Sequence, residues 1–424
     1  MIDFSLTAEQ EELLATVQRL MDKHAPEQYL RRLDAESRYP FELYREWADA
    51  GLLGLPFPEA LGGQGGSVLD FTLVAETIGR WGYDVFAVYA TPLFCGLNIL
   101  HNGSPALRER WLPPLLAGQS RFCVAMTEPD SGSDVGAMTT RAERQGDRFL
   151  ITGEKIFASG AGVDDTTICL YARTDPAADH HWGITCFLVP NTVAGLEIRP
   201  VATLGRHLLP TTQLIFDEVE VPADNVLGEV DGGWDVLLSG LRLERLATSA
   251  AYVGNARTVV DEAVAYAKER HQFGRPIGDF QAMSHLLADM HTAVEAARFL
   301  MWHAAWAYDR GHDALLDISM AKLFGSEVFA DVANKGMQVL GGYGYTYEFP
   351  MQRHFRTARA ATITAGTSQM QRNLIAGKLG FRPGSRSRRA GTGDDEAGEC
   401  PEAGSGGGVL ARQPGVHPGH GPAK

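Results

Sequence analysis

A block of short β-rich runs set between two long helical stretches does most to restrict the fold of this 424-residue chain. RFLITG, TTICLYAR, GITCFLVP, LEIRP and TTQLIFDEVEVP follow one another between about 122 and 228, separated by Gly, Pro, Asp and Asn. Strands at such short intervals predict a small barrel or sandwich. Before the block the spacing is helical: Leu13, Leu14, Val17, Leu20 and Met21 recur at i, i+3, i+4, and Thr7 with Gln10 suits a capping box. After Gly233 the helical period returns in runs of more than twenty residues over 237–270, 280–310 and 315–340, whose apolar faces predict a bundle. The expected architecture is α+β, with a helical domain over 1–121, a β-barrel over 122–228 and a helical bundle over 229–381. The stretch 382–424 is rich in Gly and Pro, has almost no large apolar residue, and is expected to be disordered.

Composition narrows the function more than the fold. A formal charge of -14 argues against a nucleic-acid partner, which would want a basic face. Cys95, Cys123, Cys169, Cys186 and Cys400 form no CxxC pair, which suits reduced thiols and a cytoplasmic location. MIDFSLTAEQEE lacks the apolar stretch of a secretory signal, and no apolar run is read as long enough to span a membrane, so no membrane association is expected. GGQGG (62–66) and GGYGYT (341–346) look like dinucleotide loops, but neither follows a strand in a βαβ unit. The second ends a helical run, where glycine suits a C-cap. No HExxH, His/Cys cluster or GxSxG occurs, so neither a metal nor a serine nucleophile is expected, and His180 with His181 reads as a solvated pair.

The informative segment is 122–162. Its TEPDSGSD (127–134) is a polar, turn-rich loop entering the β block, with hydroxyls and amides available to an anion or a polar ring edge. TEPDSGSD, GEKIFAS (153–159), ERHQFGRPIGDFQ (269–281), MQVLGGYGY (337–345) and GTSQMQR (366–372), in that order, resemble the acyl-CoA dehydrogenase family. DFSLTAEQ and GLLGLPFPEALGGQGG fit as well, so the resemblance runs from about residue 3 to 380.

The resemblance implies a helical domain, a β-barrel and a four-helix bundle, with FAD between barrel and bundle and a neighbouring subunit completing its site. It also implies a homotetramer, an acyl-CoA or acyl-carrier-protein substrate, and electron-transfer flavoprotein as acceptor. Carried onto this chain, Met126 and Thr127 would meet the flavin's polar edge, and Ser133 the pyrophosphate or the substrate's pantetheine. Phe157 and Ser159 stand where the family usually has Trp and Thr. Phe157 can still cover a ring face, and Ser159 keeps a hydroxyl for the flavin. Arg270, Phe273 and Gln281 would reach the ADP part from the other subunit, a guanidinium suiting pyrophosphate. Gln338, Gly341, Gly342, Thr367 and Gln369 would complete the cofactor contacts.

The family often carries a catalytic glutamate just before Gly-Thr-Ser, and here that position is Ala365. Its backbone N–H, beside Gly366, would still polarise a thioester carbonyl. Branches resembling isovaleryl-CoA dehydrogenase place the glutamate on a bundle helix, in a segment resembling LERL. Crotonobetainyl-CoA reductase likewise has an ER pair there. The match in GLRLERLATSAA (240–251) is Glu244, with Arg245 orienting substrate and Arg242 facing the CoA side. Leu241, Glu244, Thr248 and Ala251 share one helix face, where small apolar neighbours would desolvate a carboxylate. The competing reading of Glu244 is an exposed helix residue, since most charged helix residues are solvated. The expected reaction is α,β-dehydrogenation of an acyl thioester to a trans-2-enoyl thioester. A catalytically silent FAD-binding subunit and a flavin monooxygenase are the readings from other classes.

Overall fold

The computed structural model describes residues 5–381. The expected disorder of 382–424, Cys400 and the start of the DFSLTAEQ motif lie outside the described residues.

Helix α1 (Ala8–His24) opens with the expected box: Gln10 N–H donates to Thr7 Oγ1, and Thr7 N–H donates to the Gln10 side chain. Then come α2 (Glu27–Glu36), α3 (Phe41–Asp49), α4 (Val68–Gly79), α5 (Val85–Asn102) and α6 (Pro105–Leu116). By length and composition α5 could cross a membrane, contrary to the reading that no run is long enough; 78% of it is buried inside this fold.

The β block forms one eight-stranded sheet. Its strands are β1 (Arg121–Ala125), β2 (Arg141–Gln145), β3 (Arg148–Ser159), β4 (Thr166–Arg173), β5 (Ile184–Pro190), β6 (Leu196–Pro200), β7 (Thr211–Pro222) and β8 (Val226–Leu227). The path is β6-β7-β3-β2-β4-β5-β8, with β1 parallel to β4. Alternate residues of the strands, among them Phe149, Ile151, Ile168, Leu170, Phe187, Val189, Leu214 and Phe216, meet in a core of their own, the inward packing expected of a barrel.

The C-terminal part is built on α7 (Gly233–Glu269), α8 (Gln281–Asp309) and α9 (Leu315–Leu340), with α10 (Met351–Ala361) and α11 (Ser368–Lys378) against α9. Gly341 ends α9 at φ +60°, the C-cap its position suggested. Helix α4 crosses α7 at backbone contact, because a Cβ on Gly254 would stand 1.9 Å from the Glu76 carbonyl oxygen. The Glu76 carboxylate then accepts from Arg257, Arg298 and Trp302, each at 2.8 Å, tying α4 to α7 and α8. A buried charge with three donors is stable where an unpaired one would not be. These joints fix α7 between the N-terminal helices and the sheet, and so fix the residues it carries.

Candidate active site

Leu237, Gly240, Leu241 and Glu244 lie at i, i+3, i+4 and i+7, one face of α7. They line a narrow cavity with Phe94, Cys95 and Asn98 of α5, Val124 and Met126 from β1 and its loop, and Cys169 and Tyr171 of β4. Glu244 is half-buried. No hydrogen bond reaches its carboxylate among the described residues; only its carbonyl accepts, from Thr248 at 2.8 Å. Burial raises its pKa above the ordinary glutamate value, against the pull of Arg245, Arg206 and Lys322. Burial wins because those cations are spent elsewhere. Arg206 is paired with buried Asp84 at 2.5 Å. The exposed-carboxylate reading of Glu244 therefore fails.

Beyond α10 the chain turns through 362–367 to reach α11. Ala365 has φ +55° and Gly366 φ +83°. A left-handed alanine costs about 1 kcal/mol or more, and such strain persists only where the surroundings impose it. They do so here. Lys322, fully buried on α9, donates to the carbonyls of Gly366 at 2.7 Å and Ala361 at 3.1 Å. Gln371 Nε2 donates to the carbonyls of Ala365 at 3.2 Å and Gly366 at 3.1 Å. Arg245 Nε reaches Ala365 O at 3.4 Å, and Tyr252 shares a 2.9 Å bond with Thr364 Oγ1. The carbonyls are held, yet the N–H of Ala365 has no acceptor among the described residues.

The loop after β1 is fastened from beneath. Lys155 and Glu128 pair at 2.8 Å, both buried, and Lys155 also donates to Met126 O at 3.1 Å. Thr139 N–H, Thr139 Oγ1 and Thr140 N–H donate to the Glu128 carboxylate at 2.7, 2.8 and 2.9 Å. Burial would raise Glu128, but Lys155 and these donors bring it down to about 2, so the pair is ionised at neutral pH. Thr127 O accepts from Ile156 N–H at 2.9 Å, fixing the loop to β3. Between Ile156 and Ala158 the β3–β7 register shifts, and Phe157 takes φ +61° there. A bulge re-aims a side chain, and this one turns the Phe157 ring outward, 60% exposed. Ser159 Oγ, two residues on, sits 3.2 Å from Thr211 Oγ1.

Other expected residues separate into groups. Ser133 is exposed on its loop. His180 and His181 are not simply solvated: His180 binds Asp134 at 2.6 Å, and His181 stacks on Trp234 at 4.1 Å, bracing the loop that carries Ser133. Arg245 directs its Nε to the 362–367 turn. Arg242, two residues from Glu244, belongs to another helix face; its charge acts on Tyr308 and Asp313, and the cavity does not include it. Thr367 Oγ1 caps α11, accepting from Met370 N–H at 3.2 Å, and Gln369 is exposed.

Arg270, Phe273, Gln281, Gln338, Gly341 and Gly342 form a separate exposed group. Arg270 lies over the Tyr343 ring at 5.6 Å, joining the ends of α7 and α9. It is twenty-six residues beyond Glu244, about 39 Å of helix rise. Sequence reasoning missed Lys322, Gln371, Tyr252, Asn98 and the Lys155–Glu128 pair. A lysine inside an apolar helical run, ISMAKLF, was the available signal for Lys322.

The residues fit an FAD: an exposed aromatic ring on a strained bulge, a loop with both carbonyls anchored, and an unpartnered N–H on a turn reached by Arg245, the chain neighbour of a desolvated carboxylate. Family models for the acyl-CoA dehydrogenase N-terminal, middle and C-terminal domains match 7–119, 123–219 and 231–380. The short-chain specific acyl-CoA dehydrogenase of Clostridium acetobutylicum is 34% identical over 89% of this chain and 100% of its own. The caffeyl-CoA reductase-Etf complex subunit of Acetobacterium woodii is 34% identical over 88% of this chain and 98% of its own. Butyryl-CoA dehydrogenase from Megasphaera elsdenii superposes with a TM-score of 0.85 at 32% identity, over 90% of this chain and 100% of that one. A prolyl acyl carrier protein oxidase gives 0.85 at 27%, over 89% and 100%. The chain belongs to the acyl-CoA dehydrogenase family, FAD-dependent flavoproteins that oxidise CH–CH bonds.

Proposed function

We propose that Glu244 is the base that takes the α-proton of an acyl thioester and that the N–H of Ala365 binds the thioester carbonyl. The observation that carries this reading is the desolvated carboxylate of Glu244, without a hydrogen-bond partner among the described residues, lining a cavity while its neighbour Arg245 reaches the held turn. A carboxylate short of solvent and of donors is a stronger base than one in water, and its raised pKa suits proton transfer near neutrality. The proton α to a thioester is weakly acidic, so charge must be stabilised on the carbonyl oxygen as it leaves. A rigid N–H does that without reorganising. Lys322, Gln371 and Arg245 serve by holding the turn, so that the N–H points one way.

FAD, when bound, supplies the acceptor for the β-hydride. Met126, Thr127, Phe157 and Ser159 would hold its ring end, with Ser133 towards pyrophosphate or pantetheine and Thr367 and Gln369 nearby. Arg270, Phe273, Gln281, Gln338, Gly341 and Gly342 would serve the site of a second copy, since about 39 Å of helix separates Arg270 from Glu244. This reading expects a homo-oligomer, with a tetramer as its form. Four free, buried thiols suit a reducing compartment, and we place the protein in the cytoplasm.

The thioester is carried on CoA or on a carrier protein, as the names of the two relatives' substrates suggest, and an electron-transfer flavoprotein is the natural acceptor given the Etf-linked relative. Anaerobic addition of acyl-CoA and acyl-carrier-protein thioesters to the purified holoenzyme tests this. Loss of flavin absorbance with appearance of the 2-enoyl thioester is expected. A flavin that stays oxidised with every thioester points instead to a silent subunit.

A further inference from the structure

The cavity that reaches Glu244 also contains polar side chains that proton abstraction does not use. Asn98 of α5 is 4% exposed and lines it beside Tyr171 of β4. The amide oxygen of Asn98 is satisfied, accepting from Asn102 Nδ2 at 2.8 Å. The amide nitrogen is not. One hydrogen makes a long 3.5 Å contact with the Tyr171 hydroxyl, and the other has no acceptor among the described residues. Gly240 of α7 leaves the room this amide occupies, since a Cβ there would stand 2.8 Å from Asn98 Nδ2. An amide donor kept dry and half-used is costly unless a ligand completes it.

Its position says where on the ligand the partner atom lies. Gly240 stands one turn before Glu244, about 6 Å along α7, and helical side chains lean back towards the N-terminus. The carboxylate must face the carbon next to the thioester carbonyl. A chain laid from that carbon towards Asn98 meets the amide after about three or four bonds.

Resting on the reading of Glu244 as the base, we propose that Asn98, steadied by Tyr171, is a specificity-determining residue for acyl thioesters bearing a hydroxyl or similar oxygen at about the γ-carbon. An alkyl chain of equal length would leave the amide dry and unpaired, and sites built around a hydrogen bond discriminate strongly against analogues that lack it.

The test titrates the holoenzyme anaerobically with 4-hydroxybutyryl-CoA and with pentanoyl-CoA, which carries methyl in place of hydroxyl. Half-saturation for flavin reduction is read for each, alongside the thermal shift each gives to the Glu244→Gln holoenzyme. Wild type favours the hydroxylated thioester by at least about tenfold, and Asn98→Leu reverses the order. Tyr171→Phe, a smaller change, narrows the preference and serves if the leucine variant does not fold. Bleaching of wild type by both thioesters alike overturns this inference and leaves the dehydrogenase reading standing. Bleaching by neither, whether carried on CoA or on a carrier protein, overturns this inference, and the dehydrogenase reading falls with it only if every other acyl thioester also leaves the flavin oxidised.

Discussion

Lys322 Nζ lies 2.7 Å from the carbonyl oxygen of Gly366, placing a buried ammonium from the middle of α9 under the turn whose Ala365 N–H is unpartnered. Burial pushes this lysine down to about 8, and Glu244 opposes that shift, so the positioning group and the proposed base feel each other's charge.

Lys322→Met removes both donors and the charge. The freed carbonyls cost about 1–3 kcal/mol of stability, and the loosened turn slows flavin reduction by about ten- to a hundredfold. A merely structural role would stop there. Loss of a cation that holds Glu244 down also moves the acid limb of the rate profile to higher pH, which stopped-flow measurements across pH detect.

The raised pKa of Glu244 fixes the sign of two pH effects. Activity requires the carboxylate, so flavin reduction falls as pH drops through a pKa above 4.5. Between 4.5 and that raised value the folded state holds a proton the unfolded chain has lost, so this residue's contribution to stability declines as pH rises through the window. The Glu244→Gln variant carries no such cost. Its melting temperature therefore exceeds wild type by a margin that grows from acid to neutral pH, measurable by calorimetry.

Ala365→Gly keeps the N–H and relieves the left-handed φ of +55°. Flavin reduction stays within a few-fold of wild type, and stability changes by no more than about 1 kcal/mol, because relief of strain is offset by the freer unfolded chain. Denaturant unfolding and stopped-flow reduction together check it.

Phe157→Ala deletes a ring that is 60% exposed. Apo-protein melting barely changes, since little is unburied, whereas FAD is retained about tenfold less tightly for want of an aromatic face. Fluorescence titration of apo-protein with FAD reads the difference.

Much of this was legible in the sequence. The helical and β blocks showed through their periods, and Leu241–Glu244–Thr248 marked a helix face on which a carboxylate looked out of place. What stayed hidden depends on contacts between distant segments. That Phe157 points outward follows from a one-residue register shift against β7, which period alone does not reveal. Arg242, read as a CoA-side residue by analogy, lies outside the cavity that Glu244 lines. Thr367, expected at the cofactor, also caps α11, a role that the motif did not reveal. Asn98 lay inside an apolar run, and only the crossing with Gly240 brings its amide to the cavity.

The proposal that Glu244 is the base is tested most directly by anaerobic stopped-flow reduction of Glu244→Gln loaded with FAD and saturated with a thioester that bleaches wild type. FAD content and thioester binding are expected to persist while the rate of flavin reduction drops by at least about a thousandfold, within the range attributed to a positioned base. A variant that still reduces its flavin within tenfold of the wild-type rate would contradict it and send the search for the base elsewhere.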